Sequence, residues 1–414
     1  MKQKILLLEG DYTQSLPMAR SLAKRGYIVD GIFESKLSYG YGSRYFDKKM
    51  VFPEVGNMEK FHTYLLSVLK YENYAAVVPL NDDSSTLLSR YKEEFLKYTK
   101  FVLPDFDKYS VGYDKHQLMN ICKVKGYPHP ETICVEGNDL NAIDLSSIRF
   151  PLLIKPNYTS GARGMTLCNN ESDLKQAFPS IQAEYGDCHL QRFVPKGGHQ
   201  VEVQLYVNEK GELVQSSVIK KFRWYPENGG SSCCNISCVN KEIVDICYRL
   251  LLDIGWIGFA DFDTIEDPNT GELLIMEINP RVPACVKSAF ASGIDWADVI
   301  VSEYLGKEHQ RYSMGREVYL RHLGFETLWF AYSKNRWKTT PNWFKLIGSN
   351  IYYQDMSSWL DPMPFIRGSW GNIKKQLDPK FREAKSGTRT PKSENGGGKI
   401  VALNCFYNYN LNAA

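Results

Sequence analysis

The chain has 414 residues, enough for two or three domains of ordinary size. Hydrophobic residues make up 43% and charged residues 23%, a globular balance with ample material for a core. A formal net charge of +3 is small for this length and excludes the basic footprint that nucleic acid requires.

The opening run Ile5-Leu6-Leu7-Leu8 is interrupted at once by Glu9, Gly10 and Asp11. It is too short for a signal-peptide core or a membrane span, and no later stretch reaches about 18 uninterrupted apolar residues. The expectation is a cytoplasmic protein without a membrane partner, whose ten cysteines stay reduced. Cys233, Cys234 and Cys238 lie close together, but they lack the spacing and fourth ligand of a zinc site and read as small buried thiols.

Residues 3–8 suit a buried parallel strand. A helix follows from about Gln14 to Arg25, with Leu16, Ala19, Leu22 and Ala23 on one face and Gly26 as its stop. The strand Ile28–Phe33 completes a strand–helix–strand unit, the start of a parallel sheet. A further buried strand, Ala75–Leu80, ends in Asn81-Asp82-Asp83-Ser84, at the kind of edge where open α/β sheets bind ligands. No G-x-G-x-x-G follows the first strand, so dinucleotide binding is disfavoured. Asp114 can cap a helix to about Val124, and Gly126 to Pro130 break it. The pattern then becomes strand–loop–strand–helix to about Cys188. From Gln191 to Asn279 it becomes longer strands around a helix at about Lys241–Asp253. Along residues 201–207, Val201, Val203, Leu205 and Val207 alternate with Glu202, Gln204 and Tyr206. After Tyr312 the aromatic-rich sequence predicts a helical region packed on the rest. Beyond Ala384 a linker-like stretch precedes an apolar end, Lys399–Ala414.

Two constellations carry chemistry. Phe259-Ala260-Asp261-Phe262-Asp263 reads as a strand, Asp267 to Gly271 as a turn, and Leu273 to Ile278 as the returning strand. Folding the hairpin about Thr270 sets Asp263 opposite Glu277 and Asp261 opposite Asn279, with Cβ atoms about 5 Å apart. Converging carboxylates repel, and a hard divalent cation such as Mg²⁺ relieves that repulsion while taking nucleotide phosphates as its remaining ligands. Arg281 can reach the same region and neutralise a phosphoryl group or oxyanion. The bland alternative is a solvated hairpin face. The second constellation is basic. Lys155 ends the buried strand Pro151 to Pro156, and the loop Tyr158-Thr159-Ser160-Gly161-Ala162-Arg163-Gly164-Met165 can close backbone N–H groups over phosphate oxygens.

Asp114-Lys115, Leu153-Ile154-Lys155-Pro156, Ser160 to Gly164, Gln191-Arg192-Phe193-Val194 and above all Met276-Glu277-Ile278-Asn279-Pro280-Arg281 resemble the ATP-grasp superfamily in order and spacing. The similarity covers about residues 1–310, nearest to the branch of carbamoyl-phosphate-synthase-like proteins and D-aspartate ligases. Asp361-Pro362-Met363-Pro364 is similar to that branch as well. The resemblance implies an α/β plus α+β fold. An N-terminal parallel-sheet domain (1–112) would precede an ATP-grasp domain (113–310, lid subdomain about 120–190), a C-terminal region (311–384) and a linker with a peptide-like tail (385–414). It implies that Lys115, Lys155 and the loop residues Ser160, Gly161, Arg163 and Gly164 contact ATP phosphates. Gln191, a Glu in many relatives, and Val194 would lie along adenine. Asp263, Glu277 and Asn279 would hold Mg²⁺, with Mn²⁺ as a substitute, and Arg281 would bind an acyl phosphate.

The implied chemistry is attack of a carboxylate on the γ-phosphate, followed by capture of the acyl phosphate by an amine. The substrate would be an amino acid or peptide, and a homodimer is among the allowed assemblies. Arg223, in Lys220-Lys221-Phe222-Arg223-Trp224, reads equally as a carboxylate or phosphate binder at the cleft and as a solvent-facing charge. Residues 396–414 read as a substrate peptide tethered in cis, or more blandly as a closing strand or an extraneous tail. Competing with the ligase are a bicarbonate-activating carboxylase or carbamoyl-phosphate-type enzyme and a non-catalytic ATP-binding sensor.

Overall fold

Ile5 to Leu8 have no exposed surface, as an uninterrupted apolar run in a doubly covered parallel strand should. The computed structural model describes residues 2–377 apart from 136–138, 141, 142, 146, 147, 159–163, 196 and 226–230. The linker and tail from residue 385, and most of the glycine loop, therefore lie outside the described residues.

The N-terminal sheet has four parallel strands, β1 (Lys4–Leu8), β2 (Ile28–Phe33), β3 (Lys49–Val51) and β4 (Tyr74–Pro79), in the order β3-β2-β1-β4. The helix Ser15–Lys24 crosses over between β1 and β2, and Leu16, Ala19 and Leu22 are buried. Chain crossings of this kind enforce the parallel arrangement.

A second four-stranded sheet, antiparallel, holds β5 (Thr132–Cys134), β6 (Leu152–Pro156), β7 (Thr166–Cys168) and β8 (Cys188–Arg192), ordered β5-β8-β6-β7. The helix Glu171–Tyr185 covers it through Leu174, Ala177 and Phe178.

The third sheet has seven strands. β9 (Gln200–Val207), β10 (Leu213–Tyr225), β11 (Ser231–Cys238), β12 (Gly258–Glu266) and β13 (Leu273–Asn279) are joined by β14 (Tyr319–Arg321) and β15 (Ile351–Tyr353). The order is β13-β12-β9-β10-β11-β14-β15. The aromatic segment after Tyr312 is thus not wholly helical. It lends two short strands to this sheet, beside the helices Leu323–Tyr332 and Met363–Leu377.

Packing does not respect the boundary near residue 112. One buried cluster runs from Ile5–Leu8 through Val77 and Val78 to Trp296, Val299 and Ile300 on the helix Trp296–Leu305. The chain returns from the seven-stranded sheet to seal the first one. A separate core forms where Val201, Val203, Leu205 and Val207 meet Leu250, Leu251 and Ile254 of the helix Lys241–Ile254. Among the described residues no helix is long and apolar enough to cross a membrane, and the cysteines are free thiols.

Candidate active site: a carboxylate–lysine cleft

The hairpin pairs as its sequence dictates. Asp263 stands opposite Glu277, and Asp261 opposite Asn279, across β12 and β13. Its turn is closed by Gly271 N–H on Asp267 O (2.7 Å). Gly271 has φ +74, a conformation that other residues adopt at a cost. The strand's polar side faces β9, where Asp263 is level with Glu202 and Asp261 with Gln204.

Three basic groups converge on these carboxylates. Lys115 Nζ is 3.2 Å from Glu277 Oε2. It opens the helix Lys115–Lys125, whose end is fixed by the Asp114 carboxylate accepting from His116 N and Gln117 N. Arg281 donates from Nε to Asp82 Oδ1 (2.7 Å) and from Nη2 toward Asn279 Oδ1 (3.5 Å). This ties the acidic end of β4 to the hairpin. Lys221 bridges Asp263 Oδ1 (2.7 Å) and Glu202 Oε2 (2.9 Å).

The electrostatics follow from burial and pairing. Burial pushes Asp261 well above the ordinary carboxyl range, and Glu202 and Asp263 push it further the same way. Its Oδ1 is buried without a hydrogen-bond partner. Burial also acts upward on Asp263, but the Lys221 ammonium, with hydrogen bonds to Lys221 and Asn279 beside it, holds that carboxyl low. For Lys221, burial would lower the value, yet Asp263 and Glu202 overcome it and hold the ammonium well above the usual range.

Lys155, on β6, is buried and donates to Gln191 Oε1 (2.9 Å), whose Nε2 donates to Thr132 Oγ1 (3.0 Å). His189 is level with Lys155 on β8. Burial, reinforced by Lys155 and Lys115, drives its imidazole well below the ordinary value, so it is neutral. One nitrogen meets Asn157 Oδ1 (2.8 Å) and Nε2 is left unpartnered. The Val194 side chain packs with Trp224, Ile265 and Leu274, so only its main chain is free to meet a ligand. Ser160, Gly161 and Arg163 lie outside the described residues. Gly164 lies beside Pro156 and Tyr185.

Arg223 does not join this group. Its Nε donates to Glu326 Oε1 (2.9 Å), its Nη1 to Pro341 O (2.6 Å), and its guanidinium lies over the Trp329 ring. The reason is a bulge. On β10, Lys221 pairs with Asn235 but Arg223 with Cys234, leaving Phe222 as an extra residue. The extra residue inverts the side-chain phase, turning Lys221 to the carboxylates and Arg223 to the opposite face. Alternation read from sequence missed Lys221, Glu202 and His189. The two acidic and basic charges on neighbouring central strands were the available signal, since unpaired charges are rarely buried there.

The oxygen donors at the hairpin suit a hard cation such as Mg²⁺. Among the described residues no three His, Cys, Asp or Glu side chains form a ready cation cage. Mg²⁺ is commonly held by one or two carboxylates with substrate phosphates completing its shell. The facing pair Asp263 and Glu277, beside the orphaned oxygen of Asp261, supplies that partial set. As placed, Asn279 turns its amide NH₂ to Asp263 Oδ2 (3.2 Å), so its oxygen reaches a cation there only if the amide turns over.

Residues 114–304 match the family profile described as "Carbamoyl-phosphate synthase L chain, ATP binding domain". The chain is 22% identical over 205 residues to the carbamoyl phosphate synthase large chain, C-terminal section, of Methanopyrus kandleri, covering 47% of this chain and 38% of that protein. It is 24% identical over 156 residues to acetyl-CoA carboxylase 2 of Oryza sativa subsp. japonica, covering 36% of this chain and 7% of that one. It therefore spans well under half the length of these curated relatives. Among solved structures, a biotin carboxylase–β-γ-ATP complex from Campylobacter jejuni superposes with a TM-score of 0.62 at 16% identity, covering 76% of this chain and 74% of that one. The biotin carboxylase domain dimer of Hydrogenobacter thermophilus 2-oxoglutarate carboxylase, solved with MgADP, ADP and bicarbonate, gives 0.61 at 16%, covering 76% and 72%. An L-amino acid ligase from Bacillus licheniformis gives 0.55 at 14%, covering 73% and 74%. At such identities the likeness to solved structures establishes the fold: this chain has an ATP-grasp fold, and its residues 114–304 match the carbamoyl-phosphate synthase ATP-binding profile.

Proposed function

We propose that the chain is an ATP-dependent carboxylate–amine ligase that acts on an amino acid or peptide through an acyl phosphate. The observation that carries this reading is the Asp263–Glu277 pair facing across two strands, with Lys115 on Glu277 and Arg281 alongside. ATP binds with its triphosphate toward Lys115 and Lys155, which supply point charges for phosphate oxygens. Mg²⁺ held by Asp263 and Glu277, with Asn279 as a further oxygen donor, would neutralise triphosphate charge. Arg281 is oriented by Asp82 and offers its remaining N–H groups to the carboxylate being activated. Gln191 keeps Lys155 in place, and the main chain at Val194 borders the adenine position.

Catalysis of this type rests on positioning and charge neutralisation rather than on covalent steps by the protein. A basic wall around paired carboxylates is suited to it. The profile match to a carbamoyl-phosphate synthase domain favours a second reading, in which bicarbonate is the activated carboxylate. Phosphate release from ATP, screened across amino acids and short peptides with and without bicarbonate, separates the two when products are weighed by mass spectrometry. An amide product with matching phosphate supports the ligase. Turnover that requires bicarbonate alone supports the second reading, and no turnover under any condition contradicts both.

Lys155 gives the nucleotide site a pH signature. Burial lowers its value to about 8; Glu277 and Asp263 pull upward, while Lys115 pushes downward, and neighbouring His189 is neutral. Below that pH the group is an ammonium, and above it an uncharged amine. Affinity for a non-hydrolysable ATP analogue is expected to fall by up to about tenfold per pH unit above it. Lys155→Arg should level the profile. A wild-type affinity that stays constant across that range would contradict the placement of Lys155 at the phosphates.

A further inference from the structure

The helix Met363–Leu377 is amphipathic in the reverse of the usual sense. Toward the protein it turns Pro364, Gly368 and Gly371, small groups pressed on Gly42, Tyr39 and Leu37. Outward it turns Met363, Ile366, Trp370, Ile373 and Leu377, which are 40–72% exposed. At the angular step of an α-helix these five fall within an arc of about 80°. Trp359 and Leu360, just ahead of the helix, are 95% and 76% exposed and lengthen the stripe. A contiguous apolar stripe of this kind on a helix surface marks a place where something binds.

Charge indicates what binds. From Arg367 to Lys399 the sequence has nine basic and three acidic side chains, leaving 41 basic and 44 acidic elsewhere. The small net positive charge of the whole chain thus conceals a strongly basic segment on a mildly acidic body. Arg367 and Lys49 both lie over the Tyr41 ring, adding basic groups beside the helix. Exposed tryptophans and aliphatic side chains on one face, bordered by Lys and Arg, are the composition of a helix that lies in the headgroup region of an anionic membrane.

We propose that this face of the C-terminal helix docks on the surface of an anionic phospholipid bilayer, lying in its plane rather than crossing it. Absence of a spanning segment motivated the expectation of no membrane partner, and surface docking needs no such segment. A second copy of the chain fits less well, since a twofold contact through the stripe would bring two basic segments together. Residues 400–414 are apolar but carry no charged side chain, so they leave the basic segment unmatched.

The test is co-sedimentation of the full chain with vesicles of phosphatidylcholine alone and of phosphatidylcholine mixed with phosphatidylglycerol. Partition onto the mixed vesicles is expected to be at least about tenfold stronger, and to weaken as salt is raised. The double variant Ile366→Ser, Trp370→Ser should lose about tenfold or more of that partition. Both side chains are exposed, so its thermal midpoint should match the wild type. Failure to bind the mixed vesicles, equal binding to both kinds, or unchanged binding of the variant each overturns the proposal. Dimers that the double variant abolishes, without vesicle binding, would assign the stripe to a second copy and overturn it as well.

Discussion

Replacing Glu277 by alanine is expected to lower ATP turnover by about a hundredfold to a thousandfold while the fold stays intact. Glu277 closes the pair with Asp263 and anchors Lys115 at 3.2 Å. Its loss removes half of the facing carboxylate set and frees a phosphate-directed lysine at the same time. Stability should change little, because the side chain sits at the cleft rather than in the core and its partner Lys115 can turn to water. Glu272→Gln, at the exposed far end of the same hairpin, is the control that should retain full turnover. Phosphate release measured alongside far-ultraviolet circular dichroism decides the matter. Undiminished turnover in Glu277→Ala would end the cation assignment.

Glu326→Ala should instead unfold the protein more readily, by about 3–5 kcal/mol in a denaturant titration. Glu326 is buried between two arginines, accepting from Arg223 Nε (2.9 Å) and Arg321 Nη2 (2.6 Å). Arg321 also donates to Lys345 O and Trp343 O. Removing the carboxylate bonded to both leaves two guanidinium charges away from water with, among the described residues, carbonyl and hydroxyl partners. The buried trio also links β10 and β14 to the helix Leu323–Tyr332, so the seven-stranded sheet should lose its edge first. Glu326→Gln keeps the shape and should recover part of the loss. A Glu326→Ala protein as stable as the wild type would show that water reaches both arginines.

These two residues mark the division between what the sequence discloses and what it hides. The Asp263–Glu277 pairing was legible because a single turn, Asp267 to Gly271, fixes register over a dozen residues, and register fixes which side chains face. Three of the four parallel N-terminal strands, β1, β2 and β4, were legible as short, largely apolar runs followed by acidic residues, whereas β3, three residues long, was not. Lys221 and Arg223 were not. Strand alternation puts both on one face, and only the unpaired Phe222 separates them; nothing in the identity of that residue announces a bulge. Glu326 lies 103 positions from Arg223, and contacts at that distance leave no periodic trace. The short strands β14 and β15 were hidden among aromatics, because three residues are too few to display a period.

The docking of the helix Met363–Leu377 has a consequence for how the chain comes into being. A Cβ at Gly371 would sit 2.1 Å from Leu37 O, and one at Gly368 would sit 2.2 Å from the Tyr39 ring, so this contact admits no side chain at either point. An early stretch of this sequence is thereby capped by one that lies some 330 residues later. During synthesis, Tyr39 and Leu37 stay bare until some 330 further residues have left the ribosome. The strands β1–β4 can assemble long before then, but the surface of that sheet is finished only when the helix Met363–Leu377 has emerged and docked.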